Sequence, residues 1–142
     1  MKFLIPPSEG KLSNSTTKTF FENTDFIYLK QVDEILKILK NLKSDDLKKV
    51  YGTKIDKAIL IHKQNLNIKK EYCSPAIDRY TGTVYSNIDF GSFNKKEKDF
   101  FNQHFLIFSG LFGMVKPLTL IPNYKLKMNV LQLYNKWNPI LT

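Results

Sequence analysis

The stretch Pro6-Pro7-Ser8-Glu9-Gly10-Lys11 follows a short apolar run, as a phosphate-binding loop follows its strand. The pattern G-x-x-x-x-G-K-[ST] requires a glycine where Ile5 stands and a hydroxyl where Leu12 stands. Both are missing, which argues against nucleotide hydrolysis by that route. Two readings of Lys11 remain. It is an exposed lysine on a proline-fixed turn, or it lines a pocket at a strand's carboxyl end, where α/β sheets place ligands.

Metal chemistry finds little support. His62, His104 and Cys73 are far apart, with no H-x-x-H or C-x-x-C spacing, so no metal or other cofactor is expected. The two histidines read as a core-edge residue and a helix-terminal one. Cys73 is the single cysteine, lacks a resolving partner and follows Glu71, whose charge raises a thiol pKa. It is expected to be inert. Ser109 has Ile107 and Leu111 where a G-x-S-x-G elbow needs glycines. Nor do paired carboxylates stand out.

The best local signal spans residues 47–61. Leu47 and Val50 precede Tyr51-Gly52-Thr53-Lys54, and Ala58 and Ile61 follow. That spacing agrees with a DNA-gripping helix-hairpin-helix of the form L-P-G-I-G-x-x-x-A-x-x-I, with Lys54 in place of its second glycine. Backbone N–H groups at a helix N-terminus, plus lysines facing phosphate, supply the physics of such a grip. Gly52 would form the turn, and Lys48, Lys49, Lys54, Lys57 and Lys63 would carry the charge. A plain helical hairpin with solvated lysines is the other reading. Tyr80, Tyr85, Tyr124 and Tyr134 lie near glycines and lysines, as stacking platforms do, or they belong to the core.

These residues need a scaffold, and the pattern predicts one. Residues 2–5 read as a buried strand ended by two prolines. A polar surface loop follows at 13–19. Val32, Ile35, Leu36, Leu39 and Leu42 form a helical stripe. Ser44 is placed to cap a second helix from Asp45 to about Val50, and Ile55, Ala58, Ile59 and His62 mark a third. Ala76-Ile77 and Thr83–Tyr85 read as short extended pieces around Gly82. Asn94 and Glu97 have capping-box spacing for a helix through Phe100, Phe101 and His104. Residues 105–108 form a second buried strand running into Ser109-Gly110. Strands separated by helices predict a mixed α/β (α+β) architecture: a small mixed sheet with surrounding helices, one pair of them helix-hairpin-helix-like.

With 142 residues, 42% hydrophobic and 25% charged, the composition is that of one globular domain. No apolar run approaches the length that spans a bilayer, so no membrane association is expected. A soluble, reduced, cytoplasmic protein is predicted. The formal charge of +9 is unevenly spread. Residues 41–70 carry 8 basic side chains against 3 acidic, and 101–142 carry 4 against none, while the rest is near neutral. Two such blocks are what a basic face would look like.

Residues 105–128 read FLIFSGLFGMVKPLTLIPNYKLKM. This segment resembles the signature of the bacterial YaaA-type peroxide-stress proteins, LSGLYG-x-x-RPLD-x-x-x-PYRLEM. Three further pieces agree in order: IPPSEGK at 5–11, AIDRYTGTVYSNIDF at 76–90 and LYNKW at 133–137. The resemblance implies a cytosolic protein that protects against hydrogen peroxide, limiting oxidative DNA damage and unincorporated iron. It also implies a mixed α/β fold with a helix-hairpin-helix and affinity for double-stranded DNA. Lys116 stands where the family has Arg, Thr119 where it has Asp, Lys127 where it has Glu, and Asn129 where it has Gly. Loss of the bidentate Arg fork together with two acids implies a rewritten charge network. The family chain continues beyond this point, so a single domain over 1–142, incomplete at its C-terminus, is expected. The apolar ending Trp137-Asn138-Pro139-Ile140-Leu141-Thr142 either docks on the body or stops before the domain does.

Three functions follow as expectations. The first is sequence-independent binding of double-stranded DNA through the hairpin lysines. The second is an enzyme for a nucleotide or nucleobase-like ligand. Its pocket would draw on Ser8, Lys11, Arg79, Tyr80, Gly82, Ser109, Gly110, Gly113, Lys116 and Tyr124. The third is an inactive fragment. Convergence of Lys11, Arg79, Ser109 and Tyr124 on one concavity would favour the second.

Overall fold

A computed structural model of the chain describes residues 1–141; Thr142 lies outside them. In chain order the elements are β1 (Phe3–Ile5), α1 (Leu29–Lys40), α2 (Ser44–Tyr51), α3 (Ile55–Leu66), β2 (Ser74–Pro75), α4 (Ala76–Arg79) and α5 (Thr83–Ile88). Then follow α6 (Lys95–His104), β3 (Phe105–Ser109), β4 (Gly113–Val115), β5 (Leu120–Ile121) and α7 (Leu133–Leu141). The architecture is α+β.

β3 is the middle strand of a three-stranded sheet. It runs parallel to β1, with Ile5 opposite Ile107, and antiparallel to β4, with Ser109 opposite Gly113. β2 and β5 form a separate antiparallel pair. Because β1 and β3 are parallel neighbours, their carboxyl ends leave the sheet side by side. The 6–11 loop and Ser109-Gly110 therefore emerge together.

One face of the sheet carries Ile5, Ile107 and Val115 into the core. There Phe112 meets Phe21, Phe26 and Tyr124 at ring-centroid distances of 5.1, 5.7 and 4.9 Å. Helix α1 buries Val32, Ile35 and Leu39, as its stripe predicts. α7 packs against β4 and sinks Trp137, whose Nε1 donates to the Gly110 carbonyl at 2.9 Å. The predicted capping box of α6 is formed: Asn94 Oδ1 accepts the Glu97 N–H at 2.8 Å, and Glu97 Oε1 accepts the Asn94 N–H at 2.9 Å.

Three local expectations are corrected. The cap of α2 falls one residue earlier than Ser44, at Lys43, whose N–H the Asp46 carboxylate accepts at 3.2 Å. Ala76-Ile77 is helical, although its amides pair as a strand's would, with the carbonyls of Thr119 and Pro117. Thr83–Tyr85 begins α5, because the Ser86 N–H turns back to the Gly82 carbonyl. Apolar runs this short do not discriminate strand from helix, and the neighbouring carbonyls decide.

Candidate functional site

The carboxyl ends of β1 and β3 open onto a cleft of about 300 Å³, lined by the 7–9 turn, Lys11 and the segment 124–129. A backbone β-bridge holds the loop in place. Lys11 pairs with Tyr80, the Thr81 N–H donates to the Gly10 carbonyl, and the Leu12 N–H donates to the Arg79 carbonyl. Lys11 Nζ donates to the carbonyls of Ser8 at 3.0 Å and Glu9 at 3.4 Å. It also lies over the Tyr124 ring at 4.4 Å and the Tyr80 ring at 5.4 Å, in cation–π range. Two of its three N–H groups thus have carbonyl partners. Burial and the nearby charge of Lys125 pull its pKa down to about 8, against a smaller opposing effect of Glu9.

Beneath the ammonium runs a buried hydroxyl chain. Ser109 Oγ accepts the Phe112 N–H at 3.1 Å and shares a hydrogen with Tyr124 OH at 2.7 Å; Tyr124 OH lies 2.6 Å from Tyr80 OH. Tyr85 stacks on Tyr80 and donates to the Pro6 carbonyl at 2.7 Å. Burial pushes Tyr124 up to about 12 and Tyr80 well above its ordinary value, so both stay neutral phenols. At the rim Glu9 pairs with Lys127 at 2.8 Å, and that contact lowers its carboxyl pKa. Lys127 thus takes Glu9 as its partner. The group with a proton to exchange near neutrality is Lys11.

The structure brings Ser8, Lys11, Tyr80, Ser109 and Tyr124 together and leaves others apart. Gly82 stands next to Ser8, and Gly113 lies under the Trp137 ring. Gly110 has a packing task, since a Cβ there would meet the Leu126 carbonyl oxygen at 2.7 Å; its bareness lets the cleft wall cross the end of β3. Arg79 is fully buried and donates to the carbonyls of Leu12, Asn14, Tyr72 and Ile121 and to Ser15 Oγ. Its guanidinium ties loops together behind the cleft. Lys116 lines a different, mostly apolar cleft with Phe26, Leu106 and Met114.

The hairpin is made by α2 and α3, which pack on each other through Leu47, Val50, Tyr51, Ala58 and Ile61. Gly52 closes α2 at φ 62°, ψ 33°, a left-handed conformation that favours glycine, and its N–H donates to the Lys48 carbonyl at 2.8 Å. Lys48, Lys49, Lys54, Lys57 and Lys63 are all exposed. None has an acidic partner among the ion pairs of the described residues. Tyr51 OH lies 2.9 Å from His62 Nδ1, and burial lowers the His62 pKa. His104 lies against the Phe100 ring, 4.2 Å between centroids. Among the described residues no three His, Cys, Asp or Glu side chains gather as a metal site would require. Nor, among the described residues, is any helix long and apolar enough to cross a membrane.

Sequence reasoning missed Lys125 and Asn65, and it singles out Lys127 only as a departure from the family pattern, not as a cleft residue. The charge run in 101–142 signals the two lysines, but their shared cleft with Lys11 depends on the path of the 122–130 segment, which has no periodicity. Asn65 sits at a helical position open to many roles.

Comparison with known proteins places the chain beside several bacterial relatives. An uncharacterized protein of Campylobacter jejuni is 33% identical over 137 residues, covering 89% of this chain and 53% of its own length. A UPF0246 protein of Francisella tularensis is 28% identical over 133 residues, 90% of this chain and 52% of its own. Another UPF0246 protein, from Pediococcus pentosaceus, is 32% identical over 130 residues, 90% and 51% respectively. The chain spans about half the length of the curated relatives it matches. The family model described as peroxide stress protein YaaA matches residues 1–142, and its stretch includes both the Lys11 loop and the strand that ends at Ser109; the chain belongs to that family.

Proposed function

We propose that the chain serves in protection from hydrogen peroxide by holding double-stranded DNA without regard to sequence. One observation carries this reading: five exposed lysines, free of acidic partners, on two helices joined at a left-handed glycine. Lysine neutralises phosphate as a point charge and carries no fork for reading base edges. Each phosphate so neutralised releases condensed cations. Iron(II) among them is a source of hydroxyl radical beside the sugar, so displacing it limits iron-dependent damage to the strand.

The test is a salt-dependent titration with duplex DNA. Five phosphate contacts give a slope of about −4.5 in log K against log salt, a loss of about 10²- to 10³-fold between 50 and 200 mM. The double variant Lys54→Glu, Lys57→Glu should lose binding with its helicity intact. An affinity insensitive to salt, or a double variant that binds normally, defeats the proposal.

A second reading, an enzyme acting on a nucleotide or nucleobase-like ligand, is favoured by the Lys11 cleft and its place at the ends of two parallel strands.

A further inference from the structure

We infer that the cleft between the 7–11 loop and the 124–129 segment is a binding site for a phosphate monoester, held between Lys11 and Lys125 with Ser8 as a hydroxyl partner. The inference rests on the second reading's cleft and is independent of DNA binding by the hairpin.

Charge sets the ligand's sign. Three lysines line the cleft against one carboxylate, Glu9, and Lys127 already holds that carboxylate at 2.8 Å. Lys11 and Lys125 both line this space, and the charge of Lys125 adds to burial in lowering the Lys11 pKa. A dianion relieves both. A phosphate monoester carries −1.5 to −2 at neutral pH, which matches two ammonium groups better than a carboxylate or a phosphodiester does. Lysine is also the point-charge partner for phosphate, whereas planar carboxylates favour the arginine fork.

Donor supply agrees. Lys11 keeps one N–H beyond its two carbonyl partners. Ser8 also lines the cleft, and its hydroxyl, close to Gly82, has no hydrogen-bond partner among the described residues. A cleft of about 300 Å³ is at the small end of ligand sites, enough for a phosphate with one attached group. Its small volume suits the end of a molecule rather than a long backbone. The phosphate could come from a free nucleotide or from the phosphorylated end of a strand.

Calorimetric titration of the full chain with adenosine monophosphate, adenosine, and a short single strand bearing either a 5′-phosphate or a 5′-hydroxyl tests this. Adenosine monophosphate or the phosphorylated strand should bind, and the phosphate-free twin should bind at least about tenfold more weakly. Lys11→Met and Lys125→Met should each lose about tenfold or more, and Ser8→Ala a few-fold, with circular dichroism spectra unchanged. Tighter binding of the phosphorylated strand than of the nucleotide assigns a strand end; the reverse assigns a free nucleotide. Equal binding of phosphorylated and unphosphorylated partners, no binding of either, or full affinity in both lysine variants overturns the site. Binding without turnover of any monoester leaves the site standing and removes only the enzyme reading.

Discussion

The side chain of Asn65 closes on both backbone groups of Lys125: its Nδ2 donates to the carbonyl at 2.9 Å, and its Oδ1 accepts the N–H at 3.0 Å. Asn65 is fully buried in the last turn of α3, and Lys125 lies in the wall of the Lys11 cleft. One amide therefore bolts the basic hairpin to the cleft. It completes the hydrogen bonding of a segment that has no strand neighbour at that point, as buried backbone demands.

Replacing Asn65 by Leu keeps the branched shape and removes both bonds to Lys125, together with the longer one to Tyr51 OH at 3.4 Å. The Lys125 N–H and carbonyl then lose their partners, at about 2–4 kcal/mol in all. A fall of roughly 5–15 °C in the melting temperature is expected for a chain of this size. Thermal unfolding followed by circular dichroism checks it; a loss under about 0.5 kcal/mol would show that water satisfies the strand unaided.

Arg79 is expected to be a stability residue rather than a ligand contact. Its guanidinium serves five acceptors from three separate segments, and its Nε lacks a partner. Lysine has three donors on one nitrogen and cannot span them. Arg79→Lys should cost about 3–5 kcal/mol in denaturant unfolding. If it is neutral, the loops at 12–15 and 72 are held by something else.

Cys73 should take no part in peroxide chemistry. It is fully buried, and burial pushes its thiol up to about 11, against a weaker opposing pull from Arg79. At pH 7 only about one molecule in 10⁴ holds the thiolate, which is the form that peroxide oxidises. Mass spectrometry after millimolar peroxide should find Cys73 unmodified in the folded chain and modified in denaturant. Oxidation at equal rates in both would overturn the burial argument. The sequence assigns the raised thiol pKa to the charge of Glu71, whereas in the fold burial raises it.

What could be read from residue order was what residue order controls. The α1 stripe, the Gly52 break and the Asn94–Glu97 box are contacts within four residues, so their spacing is their geometry. Lys11 was a candidate because strand ends are local too. Arg79 was placed in a pocket because an isolated arginine in a motif invites a ligand; its actual acceptors come from residues 12, 14, 15, 72 and 121, and only the fold gathers them. Likewise, Lys125 reaches the cleft through Gly110, which lets the chain pass close to β3, and through Asn65. Neither link has a sequence period.

Lys11 should lower the stability of its own fold at neutral pH. Its pKa is about 8 in the folded chain against 10.5 for the free side chain. Below pH 8 both folded and unfolded chains hold the proton, and the buried cation carries its full cost, up to about 3 kcal/mol. Between 8 and 10.5 the folded chain has released the proton while the unfolded chain retains it. Unfolding then takes up a proton, so stability rises with pH across this window, by up to about 1.4 kcal/mol per pH unit. Glu9, Lys125 and Lys127 face the ammonium from the loop and the cleft wall, while the neutral phenols of Tyr80 and Tyr124 lie under it. Lys11→Met removes the cost and forfeits two carbonyl contacts, those to Ser8 and Glu9. The variant is expected to be more stable at pH 7 by about 1–2 kcal/mol, with the advantage shrinking as pH passes 8. Urea unfolding of both chains at pH 7, 8 and 9 measures the difference. A destabilised variant with a pH-independent gap would mean that Lys11 supports the fold. A stabilised one means that the cation is kept in the cleft against the interest of folding, for what it binds.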